Sequence, residues 1–136
     1  MVFSYFCNMK AYIIIGMAAL LCSCQKSWEE RCAEEAQRIT ETTCPRQMPY
    51  DIIMDSMTYD AQLNRFNYYY RVAGERDKPE IFIAGKEEML ELLKQQYDNS
   101  IELKKYKEHG MSFRCIYYSG STGQNYLDYV WENNKK

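Results

Sequence analysis

The sequence predicts an α+β domain ordered helix, β-hairpin, helix, β-hairpin, with the helices packed on one face of an antiparallel sheet. Three observations predict it. Trp28, Cys32, Ala36 and Ile39 recur at helical spacing. Arg65 to Val72 alternates with a period of two. Met89, Leu90, Leu93, Tyr97 and Ile101 then make a second helical stripe, followed by two more alternating runs.

The first helix is expected over 27–43. Ser27 and Glu30 have capping-box spacing, which satisfies free amides at a helix start. Glu29, Glu30, Arg31, Glu34, Arg38 and Glu41 cover its polar side, with Glu34 and Arg38 a favourable pair four residues apart. Pro45 ends it, because a residue before proline avoids the helical region. Asp51 to Tyr59 reads as a strand, residues 60–64 as a turn, and Arg65 to Val72 as the returning strand. On that strand Phe66, Tyr68, Tyr70 and Val72 share one face, and Arg65, Asn67, Tyr69 and Arg71 the other.

Residues 73–80 read as a polar loop, and Ile81-Phe82-Ile83 as an edge strand or the lead-in to a helix. The second helix is expected after Gly85. Glu87 and Glu88 near its start and Lys104, Lys105 and Lys107 near its end complement the helix dipole, and Gly110 suits the position just past its end. Asn99-Ser100 leaves open whether residues 86–109 form one helix or two. Residues 111–118 and 125–131 form the closing hairpin around Ser119–Gly123, and 132–136 a frayed tail.

Ahead of this domain, Lys10 precedes an apolar run, Ala11 to Leu21, which stops at Cys22-Ser23-Cys24. A positive residue, a short apolar core and a small-residue boundary make a secretory signal peptide. A bilayer core needs ~20 apolar residues, more than this run offers. Leu21-Cys22-Ser23-Cys24 resembles the lipobox of bacterial lipoprotein precursors. The resemblance implies cleavage between Ser23 and Cys24, removal of residues 1–23, and acyl chains on Cys24 at the head of a single 24–136 domain. Cys22 is the competing acceptor, but bulky Leu21 would then occupy the position before the cut. A single acyl chain anchors a protein only marginally and two or more hold it stably. Gln25, rather than Asp, after the cysteine is similar to lipoproteins of the outer membrane, facing the periplasm or the outside. The domain's element order looks like the cystatin-like layout of small bacterial lipoproteins.

The formal charge is −2 over 136 residues with both signs interspersed, which lacks the basic footprint of a nucleic-acid binder. After removal of the signal peptide, Cys32, Cys44 and Cys115 remain beside Cys24. An unbroken first helix puts Cys32 and Cys44 ~18 Å apart, too far for a disulfide. Cys115 could meet one of them, or all three could stay free. The spacings that mark zinc sites, Walker loops, nucleophile elbows and zinc proteases are absent, so neither a metal nor another cofactor is expected. The only histidine, His109, sits at a helix end, where a cation is favoured. An enzyme is not expected.

What remains is the sheet face away from the helices, where Arg65, Asn67, Tyr69 and Arg71 would lie beside Arg114, Ile116 and Tyr118. Interleaved Tyr and Arg suit contact with a protein or a glycan. The reading is a membrane-anchored envelope lipoprotein with a non-enzymatic binding domain. The alternatives are an inhibitor or immunity-type protein blocking a secreted enzyme, which would use a hairpin tip such as Ser119–Gly123, or a structural envelope component.

Overall fold

The structure is a computed structural model that describes residues 25–134. The signal peptide, the lipobox Leu21-Cys22-Ser23-Cys24 and its cleavage site lie outside the described residues. Helix α1 spans Trp28–Thr42, β1 Arg46–Met48, β2 Ile52–Asp60 and β3 Arg65–Val72; α2 spans Pro79–Asn99, α3 Lys104–Glu108, β4 Ser112–Ser119 and β5 Asn125–Trp131. The fold is α+β, with one five-stranded sheet in the order β1-β2-β3-β4-β5.

The predicted first helix and its cap are present. Ser27 Oγ accepts from the Glu30 amide at 3.1 Å, and the Glu30 carboxylate accepts from the Ser27 amide at 2.9 Å. β3 and β5 have the predicted limits. Three expectations are corrected. The chain has an extra strand, β1, between Pro45 and Pro49, too short for alternation to reveal. Residues 79–99 are helical throughout, so the helix begins at Pro79 and not after Gly85, and Ile81-Phe82-Ile83 leads it, as one of the two readings allowed; Pro79 occupies its first turn, where a missing amide costs nothing. The helix stops at Asn99, and α3 follows as a separate short helix.

The third correction concerns the sheet. β1–β2, β2–β3 and β4–β5 are antiparallel, but β3 and β4 run parallel in unbroken register, Arg65 beside Ser112 through Val72 beside Ser119. The sheet therefore departs from an all-antiparallel cystatin-like layout. The cause is the length of the crossover. An eight-residue strand spans ~26 Å, and a 21-residue helix ~31 Å. The chain leaves β3 at Val72, travels back along α2, and re-enters the sheet where β3 began, so β4 must run in the same direction.

Both long helices lie on one face, α1 over β2 and α2 over β5. Beneath them the core gathers Cys32 and Ala36 from α1, Met54 and Met57 from β2, Phe66 and Val72 from β3, Leu93 and Tyr97 from α2, and Met111, Phe113, Cys115 and Tyr117 from the β4 segment. Phe66, Phe113 and Met111 are wholly enclosed, each contributing ~1.5–3 kcal/mol by leaving water. Tyr97 stacks on Phe113, and its hydroxyl lies 2.8 Å from the Cys115 sulfur. Burial pushes the Cys115 thiol up to about 12, although the Tyr97 contact works the other way.

α1 is also tied to the sheet edge. β1 pairs only with Ile52–Met54, leaving the outer edge of β2 uncovered beyond that point. There the Thr40 hydroxyl donates to the Met57 carbonyl at 2.8 Å and accepts from the Met57 amide at 2.9 Å. The three described cysteines are free; Cys32 and Cys115 are buried and Cys44 half-buried. Among the described residues, no helix is long and apolar enough to cross a membrane.

Candidate functional site

The parallel pairing brings the predicted face together. Asn67 lies beside Arg114, Tyr69 beside Ile116, Arg71 beside Tyr118, and Arg65 beside Ser112. Alternation had set which side chains share a face, and reversing β4 did not move them to the other side. This face carries no helix. Tyr69 and Tyr118 are half-buried, while Asn67 and Ile116 are buried beneath the longer chains around them.

Its charges are satisfied internally. Arg71 meets Asp55 in a two-pronged ion pair, Nε at 3.0 Å and Nη2 at 3.1 Å, and the Tyr118 hydroxyl donates to the same carboxylate. Asp55 is the extra residue of a bulge in β2, which aims it across β3. Burial acts to raise the Asp55 pKa, but hydrogen bonds from Arg71 and Tyr118 outweigh it and hold the carboxyl below its usual range. Burial and Asp55 push Tyr118 up to about 12. Arg114 grips Asp128 in the same way, at 2.7 and 2.5 Å, and Arg65 reaches Ser112 and Glu132. The result is a flat polar layer whose cations already have partners.

A second feature was not foreseen. At the end of the sheet where β2 begins and β3 finishes, a cavity of about 330 Å³ opens beside α2. Ile52, Val72, Phe82 and Met89 form its walls, and Tyr50, Ile81 and Leu92 its apolar rim. Those three rim residues are 70%, 43% and 59% exposed, unusual for large apolar side chains gathered at one mouth. Tyr50 has φ 65°, a left-handed conformation that costs a non-glycine residue ~1–2 kcal/mol. The Arg76 guanidinium sits 5.0 Å over its ring, and Glu88 supplies the opposite charge. Strain holding an aromatic ring in solvent marks a place to look for function. The sequence signal was present but unread: Ile81, Phe82, Met89, Leu90, Leu92 and Leu93 are too many apolar residues for one buried stripe of α2.

Asp77 positions the start of α2. Its carboxylate accepts from the Ser121 amide at 2.9 Å and the Tyr126 hydroxyl at 2.8 Å, locking the loop before α2 to the β4–β5 turn. Hydrogen bonding from Ser119, then from Ser121 and Tyr126, outweighs burial and lowers its pKa to about 2. The Ser119–Gly123 turn is thus an anchorage for the groove wall as well as a hairpin tip.

His109 stacks face to face on Trp28 at 3.6 Å, and its Nδ1 lies 2.8 Å from the Lys105 carbonyl oxygen. Cys115 sits instead in the core, in contact with Tyr97. Among the described residues, no group of three His, Cys, Asp or Glu side chains is placed to hold a metal ion.

A family model described as a domain of unknown function, DUF8479, matches residues 27–127. The chain belongs to this family. The match runs from the α1 cap into β5, and so takes in both the polar face and the groove of the DUF8479 domain. No curated protein matches it in sequence. Solved structures share its fold. One is the crystal structure of a protein from Pseudomonas aeruginosa described as secreted, with a TM-score of 0.61 and 12% identity over 79% of this chain and 96% of that one. Another is the pilotin EpsS of the Vibrio vulnificus type 2 secretion system, with a TM-score of 0.57 and 12% identity over 77% and 87%. A third is the type II secretion system pilotin AspS of Vibrio cholerae, with a TM-score of 0.56 and 14% identity over 77% and 88%. At these identities the likeness is one of fold.

Proposed function

We propose that this protein is a non-enzymatic lipoprotein of the bacterial envelope, anchored in the outer membrane by acyl chains on Cys24, whose DUF8479 domain holds an apolar segment of a protein partner. The observation that carries the reading is the groove beside α2. Exposed Tyr50, Ile81 and Leu92 surround a cavity with apolar walls, and Arg76 and Glu88 offer one charge of each sign at its edge. An amphipathic partner segment would bury that rim and leave its polar side toward water. An envelope setting is supported by the structures that share the fold, a secreted protein and two type II secretion pilotins.

The start of α1 and the groove lie at opposite ends of the sheet. Trp28, at the start of α1, packs on Tyr106, which packs on Phe66 at the first turn of β3. The groove takes in Val72, the last residue of β3. About 20 Å separates Phe66 from Val72 along the strand.

Photocrosslinking in bacterial cells tests this. A photoreactive residue at Leu92 should yield one discrete adduct with another protein, and the same residue at exposed Leu63 should not. Equal labelling at both positions would sink the groove reading. Intact mass of the processed protein, beside Cys24→Ala, reads the anchor separately: residues 24–136 plus acyl groups are expected, and an unlipidated mass would overturn it.

The polar face supplies a second reading. Tyr69 and Tyr118, half-exposed beside Arg65, Asn67, Arg71 and Arg114, suit a flat protein or glycan contact. An adduct from Tyr69 in place of one from Leu92 would favour it.

A further inference from the structure

The two edges of the sheet are treated differently. On one side β1 is three residues long, flanked by Pro45 and Pro49 and carrying Arg46, and Thr40 closes the edge of β2 beyond it. These are devices that keep an edge from pairing with another chain. On the other side β5 runs for seven residues, Asn125–Trp131, with no proline and no lysine or arginine. Among the described residues, no strand pairs with its outer side. A bulge at Tyr126 interrupts its start, but Leu127 to Trp131 continues regularly. Tyr129, Val130 and Trp131 are half-exposed, and a cavity of about 500 Å³ opens along them toward Lys94 and Asp98 of α2.

We infer that β5 is a docking edge for β5 of a second copy of this chain, joining two sheets into one ten-stranded sheet about a two-fold axis. The sequence of the strand is self-complementary in one register. A two-fold axis normal to the sheet makes the pairing antiparallel and keeps each face on its own side. Centring on Asp128 sets two carboxylates directly opposite each other, and centring on Val130 sets Asp128 against Glu132; both are repulsive. Centring on Leu127 strands Trp131 beyond the end of the partner strand. Centring on Tyr129 pairs Leu127 with Trp131 and Tyr129 with Tyr129 on the helix-covered face, and Asp128 with Val130 on the polar face. It opposes no like charges and leaves Asp128 with its Arg114 partner. A heterologous strand would have no reason to find this symmetric pattern.

Cysteine crosslinking in the full chain, expressed in bacteria and mildly oxidised, tests the register. Directly opposed residues have Cα atoms ~4.5–5.5 Å apart, inside the range a disulfide accepts. Tyr129→Cys should give a covalent dimer at twice the chain mass, lost on reduction. Because Tyr129 contributes to the core side, a second pair is kept on the polar face. Asp128→Cys and Val130→Cys should each stay monomeric alone, since their self-contacts lie ~7–8 Å apart, and should crosslink when co-expressed. Monomer from all of these combinations would overturn the inference. A disulfide-linked product of a different mass would also overturn it, by showing that another protein supplies the strand.

Discussion

Replacing Thr40 by valine should destabilise the domain while removing almost no volume. The hydroxyl makes two hydrogen bonds to the same residue, donating to the Met57 carbonyl at 2.8 Å and accepting from the Met57 amide at 2.9 Å. Valine keeps the branched shape, so the change isolates the hydroxyl. Each lost bond contributes ~0.5–1.5 kcal/mol, and the site is part-buried, so water replaces the hydroxyl incompletely. The sum is ~1–3 kcal/mol. For a domain of this size each kcal/mol moves the midpoint of thermal unfolding by about 4 °C, which gives a loss of roughly 4–12 °C. Circular dichroism reads the midpoint, and hydrogen exchange reads the Met57 amide, which should lose its protection locally. Thr40→Ser, retaining the oxygen, should recover most of both. A valine variant that melts within about 1 °C of the parent with an unchanged Met57 amide would refute the claim that Thr40 closes the β2 edge.

Two further outcomes follow from the loops that hold the groove. A Cβ on Gly120 would lie 2.8 Å from the Val72 carbonyl oxygen and 3.0 Å from Arg71 Cγ, so Gly120→Ala must displace the backbone that makes the 2.9 Å Gly120–Val72 hydrogen bond. A cost of ~1–3 kcal/mol is expected from such overpacking, read as a lower denaturant midpoint with an unchanged slope. Asp77 has its carboxyl pKa lowered to about 2, chiefly by the Ser119 hydrogen bond, so the folded state binds its proton less readily than the unfolded chain. The stabilisation it gives is complete above the unfolded pKa near 4 and fades as pH falls toward 2; Asp77→Asn should therefore lower stability by a constant amount above pH 5 and flatten the fall between about pH 4 and 2.

The polar face was legible because alternation along a strand needs no knowledge of its neighbour. Arg65, Asn67, Tyr69 and Arg71 face together whichever way β4 runs, and Arg114 and Tyr118 join them by the same rule on their own strand. The direction of β4 was legible too, in principle. A helix as long as α2 between two strands is what a parallel pair requires, and reading each pair of strands as a hairpin overlooked it. The Asp55–Arg71–Tyr118 contact was harder, since the bulge that aims Asp55 is set by pairing and leaves no mark on the sequence. The groove escaped for another reason. Periodicity finds the one stripe a helix buries, but α2 carries apolar residues on two sides, and only its seat over β5 decides which of them stay in water.

That division of α2 gives the domain its polarity. The C-terminal half of the helix is committed to the core through Leu93 and Tyr97, with Tyr97 stacked on Phe113. The N-terminal half rests on Phe82, which meets Tyr117 and Tyr126, and turns Ile81 toward solvent. A protein of this size leaves such a rim uncovered at a cost in solubility, and polar residues at Ile81 and Leu92 would be compatible with the helix and its packing. Both positions are apolar even so, at the end of the sheet opposite Trp28, with Asp77 pinning the loop that leads into them. An apolar mouth held rigid in this way is what the proposed partner-holding role requires.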